Sequence, residues 1–191
     1  MSKILYLHGF ASSADSTKAL KLKEYINSNY LKTEIVIPDI ENNIAHAVKQ
    51  IDNLIKELSP SGLIGSSLGG FYATYFSEKY HLKCVGINPA VMPPADMSQY
   101  LGENKNYSTD EKFIITQEQL DLLAKMMKEI KAIKNPKNFM ILLQSKDESL
   151  DYRAATKFYQ GSMLDVTFGG NHSFEHFETY FTKIKLFLNM H

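Results

Sequence analysis

The 191-residue chain has no tryptophan, one cysteine and six prolines, and it carries no excess of charge of either sign. A lone Cys84 cannot close an internal disulfide, which suits a reducing compartment. Twenty-one basic residues balance twenty-one acidic ones, so there is no electrostatic footprint for nucleic acid or for an anionic membrane surface. No stretch approaches the roughly 20 apolar residues of a membrane span. The apolar opening MSKILYLHGF reaches His8 too soon to hold the core of a signal peptide. Cytoplasmic residence and a small-molecule partner are therefore expected, while the sequence does not speak to oligomeric state. What is present, 44% hydrophobic and 22% charged residues, fits a single domain spanning 1–191 with one substantial core.

Short apolar runs alternate with amphipathic segments. Residues 4–7, 34–37, 62–64, 84–87, 139–143 and 163–168 read as strands. Ile44, Ala47, Val48, Ile51, Leu54, Ile55 and Leu58 keep the 3.6-residue period of a helix over 43–58. Further helices are expected around Leu20, Leu22, Tyr25 and Ile26, and over 71–80, 152–159 and 174–188. This alternation predicts an α/β fold: a three-layer arrangement in which a mostly parallel sheet of about six strands carries helices on both faces. One region breaks the rhythm. Residues 91–137 begin polar and turn-rich, with Pro93-Pro94 and Gly102, and show no strand. A helix over 116–133 follows, with Thr116 as N-cap and Gln119 completing a capping box. Such an excursion over the sheet ends suits a lid or a substrate-facing wall, and equally a crossover helix with a long surface loop.

Between the third strand and the aromatic-rich helix stands Gly65-Ser66-Ser67-Leu68-Gly69, a G-x-S-x-G pattern. A tight strand-to-helix turn there lifts the Ser67 hydroxyl above the sheet, and the crowded turn requires small residues at Gly65 and Gly69. The other reading of such a turn, a phosphate cradle, lacks both the dinucleotide fingerprint and the Gly-Lys-Ser/Thr ending.

A serine needs a base to become a nucleophile at neutral pH. In this class of fold the chain order is serine, acid, histidine. His172, His176 and His191 follow Ser67 and the candidate acids. Of these, His172 lies in Gly169-Gly170-Asn171-His172-Ser173, a loop leaving the last strand at the sheet's C-terminal edge, and is the candidate base. The acid belongs in the loop after 139–143, where Asp147 is preferred. Asp151 reads as a helix N-cap, and Glu148 is a third candidate. An oxyanion hole takes one backbone N–H from Leu68, next to the nucleophile. The second comes from the loop His8-Gly9-Phe10, with the Phe10 N–H preferred and His8 as a structural hydrogen-bonder. Acyl transfer to water by these parts requires no metal and no organic cofactor. Cys84 sits inside a strand, as a core residue would.

The stretches Leu5-Tyr6-Leu7-His8-Gly9-Phe10-Ala11-Ser12-Ser13, Gly65-Ser66-Ser67-Leu68-Gly69-Gly70-Phe71-Tyr72-Ala73-Thr74, Asn88-Pro89-Ala90, Asp147-Glu148-Ser149-Leu150-Asp151-Tyr152-Arg153 and Gly169-Gly170-Asn171-His172-Ser173-Phe174 together resemble the YqiA-type small bacterial esterases. The resemblance spans nearly the whole chain. It implies an α/β-hydrolase core without a large cap domain, and carboxylesterase activity on short to medium acyl esters. It also implies Ser67 as nucleophile, Asp147 as acid and His172 as base. Members of that family usually carry a glycine just before the acid, where this chain has Ser145-Lys146. A thioesterase or small peptidase would use the same triad, and a binding protein on a hydrolase scaffold would lack one of its members.

Overall fold

The computed structural model describes residues 1–91 and 95–191; Pro93-Pro94 lie outside the described residues. Its centre is a sheet of six parallel strands: β1 (Ser2–Leu7), β2 (Thr33–Val36), β3 (Gly62–Ser66), β4 (Lys83–Ile87), β7 (Phe139–Gln144) and β8 (Met163–Thr167). Their spatial order is β2-β1-β3-β4-β7-β8. Strand side chains alternate between faces, and the inner strands are apolar on both, as a doubly covered parallel sheet requires. Ile4 and Tyr6 of β1 face one way, with Ile64, Val85 and Met140. There they pack against Ala19, Leu22 and Ile26 of α1 (Thr17–Asn29) and Ile184 and Leu188 of α6 (Phe181–Leu188). Leu5, Leu7, Leu63, Cys84 and Ile141 face the other way. They meet α2 (Ile44–Leu58), α3 (Leu68–Tyr80), α4 (Gln117–Ile130) and α5 (Tyr152–Phe158). The chain leaves β1 outward to β2, then crosses back to β3 on the other side of β1. The carboxyl ends of β1 and β3 therefore diverge at a switch point, where open α/β sheets bind ligands.

Several expectations change. Residues 91–137 are not free of strands: β5 (Gly102–Lys105) and β6 (Lys112–Ile115) form an antiparallel hairpin pairing Gly102 with Ile115 and Lys105 with Lys112. Gly-Glu-Asn-Lys has no apolar alternation to announce a strand. What holds the hairpin is tertiary: the Asn106 side chain donates to Ser12 O at 2.9 Å and to Asn42 Oδ1 at 3.1 Å, and Tyr107 N donates to Ala11 O at 2.9 Å. Thr116 does stand at the N-cap of α4, yet its side chain makes no capping bond to the backbone. No capping box forms. Gln119 is buried instead, accepting from Ile44 N at 2.9 Å and donating to Ile114 O at 3.1 Å. It thus satisfies an orphan donor of the neighbouring helix α2. Leu20 is 46% exposed, and Ala19 takes its place on the buried face of α1. The last helix starts later than expected. Phe174 and His176 adopt positive φ, a short turn spans Phe177–Tyr180, and only then does α6 begin. The break lets Phe174 and Phe177 both enter the core.

Candidate active site

Ser67 follows β3 directly, with φ 55° and ψ −122°. A non-glycine residue in that region is strained by roughly 1–3 kcal/mol and persists only where its surroundings over-determine it. They do so here. Ser67 N donates to Ile87 O at 3.1 Å, and Ser67 O accepts from Phe71 N at 3.1 Å and Ala90 N at 3.0 Å. The flanking glycines let the backbones close in. A Cβ on Gly65 would lie 2.2 Å from Gly69 O, and one on Gly69 would lie 2.1 Å from Leu7 O.

His172 brings Nε2 to 3.1 Å from Ser67 Oγ. Its Nδ1 lies 3.0 and 2.9 Å from the two carboxylate oxygens of Asp147. Because a carboxylate only accepts, Nδ1 carries the proton and Nε2 presents its lone pair to the serine hydroxyl. The Asp147 side chain is 2% exposed, and its Oδ1 also accepts from Ser149 N and Leu150 N, each at 2.8 Å. The other two acid candidates are engaged elsewhere. Asp151 caps α5 by accepting from Arg153 N at 2.9 Å, and Glu148 accepts from His172 N at 3.0 Å. Ser145 and Lys146 both keep negative φ, so the acid loop demands no glycine at either. The Ser145 hydroxyl instead accepts from Gly169 N at 3.0 Å.

The residues that hold the His172 loop escape a reading by motif. Asn88, at the exit of β4, donates to Asn171 O at 3.0 Å and accepts from Gln144 N at 2.9 Å. Gln144 is buried at the end of β7 rather than in the loop beyond it. Its Oε1 accepts from Asn171 N and Glu175 N, and its Nε2 donates to Glu175 O. Gly170 runs against it with φ +69°, where a Cβ would lie 2.0 Å from Gln144 Oε1. The signal in the sequence is a polar side chain ending an otherwise apolar strand, which must find partners when buried.

Phe10 and Leu68 line the same cavity as Ser67 and His172, a cleft of about 670 Å³. Neither backbone N–H has a partner among the described residues. Gly9 lies directly against the serine: a Cβ there would be 3.3 Å from Ser67 Cβ. The Phe10 ring packs outward on Tyr100 and Phe113, at centroid distances of 4.9 and 5.6 Å. Met97, Gln99, Tyr100 and Tyr107 also line this cleft.

His8 is buried behind this loop. Ile40 N donates to its Nε2 at 2.9 Å, so its proton sits on Nδ1 and is donated to Gly9 O at 2.9 Å. Burial pushes its pKa below the usual histidine value. The unfolded chain then takes up a proton that the folded protein refuses. Stability should therefore fall as pH drops below about 6.5, the unfolded value. Urea midpoints should decline over that window in the wild type, and less steeply in His8→Gln.

Cys84 is fully buried, which pushes its thiol up to about 12; it holds no thiolate at neutral pH. Among the described residues no group of three or more His, Cys, Asp or Glu could hold a metal, and no helix is long and apolar enough to cross a membrane.

A six-stranded parallel sheet covered on both faces, with a serine on a strained turn after β3 and a histidine and carboxylate after the last two strands, defines an α/β-hydrolase fold. Solved structures with this fold overlay closely. Est1E from Butyrivibrio proteoclasticus with ferulic acid bound has a TM-score of 0.79 at 16% identity, over 99% of this chain and 88% of that one. The esterase domain of a Rhodothermus marinus protein gives 0.73 at 15%, over 97% and 85%. Mouse alpha/beta hydrolase domain-containing protein 10 gives 0.75 at 16%, over 98% and 89%. The chain belongs to the family described as uncharacterised protein family UPF0227, which matches residues 3–189. Its relatives include the UPF0227 proteins ECA1814 of Pectobacterium atrosepticum, 25% identical over 96% of this chain and 97% of that protein, and YE1706 of Yersinia enterocolitica, 23% identical over 78% and 77%. The resemblance to YqiA-type proteins holds at the level of the family and the fold.

Proposed function

We propose that the protein is a serine hydrolase that cleaves carboxylic esters through a Ser67–His172–Asp147 triad. The observation that carries this reading is the chain of contacts from Ser67 Oγ to His172 Nε2 at 3.1 Å and from His172 Nδ1 to both Asp147 oxygens. His172 Nε2 takes the Ser67 proton as Oγ attacks the ester carbonyl carbon. The backbone N–H groups of Phe10 and Leu68 hold the oxyanion, each worth about 3 kcal/mol by analogy with similar donors. The imidazolium, stabilised by Asp147, then gives its proton to the departing alkoxide. Water repeats the sequence on the acyl-enzyme, with His172 again as base. Gly65 and Gly69 shape the nucleophile turn. Residues 91–137 serve as a substrate-facing wall within a single domain. The esterase named among the structures of similar fold supports ester over other acyl substrates.

A fluorophosphonate probe tests the reading. It should label the folded protein one-to-one, with the adduct on the peptide containing Ser67. Folded protein that stays unlabelled, or an adduct on another residue, rejects it.

A further inference from the structure

The cleft has a corner that the triad does not use. Lys18, in the first turn of α1, lines the cavity together with Ser16, Tyr6, Ser67 and His172. The residue is half-buried, and its ammonium has no carboxylate within 4.0 Å among the described residues. It donates to Ser173 O at 2.8 Å, which places it beside the residue after His172. An ammonium can donate three times. Burial pushes its pKa down, opposed by the nearby Asp147 carboxylate.

Two further features converge on the same corner. Ser16 is the N-cap of the 13-residue helix α1, yet its side chain makes no capping bond, so the positive end of the helix is unsatisfied there. The Tyr6 hydroxyl is fully buried and lacks a hydrogen-bond partner among the described residues. The Ser16 hydroxyl is the group placed to hydrogen-bond it, but the two do not reach hydrogen-bond geometry. A buried hydroxyl without a partner costs about 1–3 kcal/mol unless something fills the position. An unpaired cation, an uncapped helix end and an unsatisfied hydroxyl all want the same guest, an anion with acceptor oxygens. Glu148 lines the cleft too, and the Asp147 carboxylate already acts on the ammonium, so the site suits one negative charge better than two.

We propose that Lys18, Ser16 and Tyr6 form a carboxylate subsite, so that the substrates are esters carrying a free carboxylate. This rests on the esterase reading above. Two matched pairs of esters test it: 4-nitrophenyl valerate against 4-nitrophenyl hydrogen glutarate, and phenyl butyrate against 3-carboxyphenyl butyrate. The readout is the ratio of kcat/KM for the charged ester over its neutral partner, compared between wild type and Lys18→Gln. Damage to the Ser173 contact would lower both members of a pair alike and leave the ratio unchanged. The ratio should fall about tenfold in at least one pair, as loss of one charge-assisted hydrogen bond implies. Tyr6→Phe, which keeps the buried ring, should lower the same ratio about threefold. Hydrolysis of the neutral esters with ratios unmoved by both variants overturns the subsite alone. Absence of hydrolysis of all four esters, with no fluorophosphonate labelling, overturns the esterase reading and this inference with it.

Discussion

Replacing Ser67 by alanine is expected to lower kcat on any accepted ester by roughly 10⁴- to 10⁶-fold, leaving the residual rate that binding and the oxyanion donors support without a nucleophile. The fold should survive. The hydroxyl's partner is His172 Nε2, which is 27% exposed at the side chain and can turn to water. Alanine keeps the Cβ that already sits at φ 55°, so no new strain is introduced. Thermal midpoints of wild type and variant should agree within a few degrees while turnover collapses. An ester hydrolysis rate unchanged by the substitution would show that the activity resides elsewhere.

Gly69→Ala should act in the opposite way, through the fold first. The added methyl would lie 2.1 Å from Leu7 O and 2.3 Å from His8 O. Both are backbone atoms, so no side-chain rotation relieves the overlap. The first turn of α3 would have to move off the end of β1, carrying the nucleophile turn with it. Overpacking in a well-filled core costs typically 1–3 kcal/mol and sometimes more, and a backbone collision belongs at the upper end. About 3 kcal/mol corresponds to a thermal midpoint lowered by roughly 6–12 °C in a chain of this size. Calorimetry would check it, and an unshifted midpoint would contradict this packing.

These two substitutions mark what was legible in the chain and what was not. The alternation of strands and helices, and the position of Ser67, Asp147 and His172 at three strand exits, follow from local patterns: apolar runs, glycines and the loops between them. Asp151 is equally local, since an acid just before a helix caps it. The β5–β6 hairpin was not legible, because Gly102–Lys105 has no alternation and its pairing depends on Asn106 and Tyr107 reaching Ser12 and Ala11. Gln119 shows the same limit. Its spacing from Thr116 suggests a capping box, but burial against α2 offers it the Ile44 N–H instead. Asn88 and Gln144 meet from strands 56 residues apart in sequence, and no window along the chain could pair them. The kink at Phe174 and His176 arises from the competition between helix propensity and the burial of two phenylalanines, which the core wins.

The anchoring of the hairpin has a consequence for how such an enzyme could change its diet. Tyr107 lines the cleft, and its backbone is tied to Ala11 in the loop that carries Phe10. Under the proposed mechanism, the part that selects the substrate and the part that receives negative charge in the transition state form one mechanical piece. A redesigned wall would disturb both together. New specificity is therefore more accessible through residues that touch the cleft without gripping the β1 loop, such as Met97 and Gln99, than through exchange of the hairpin itself.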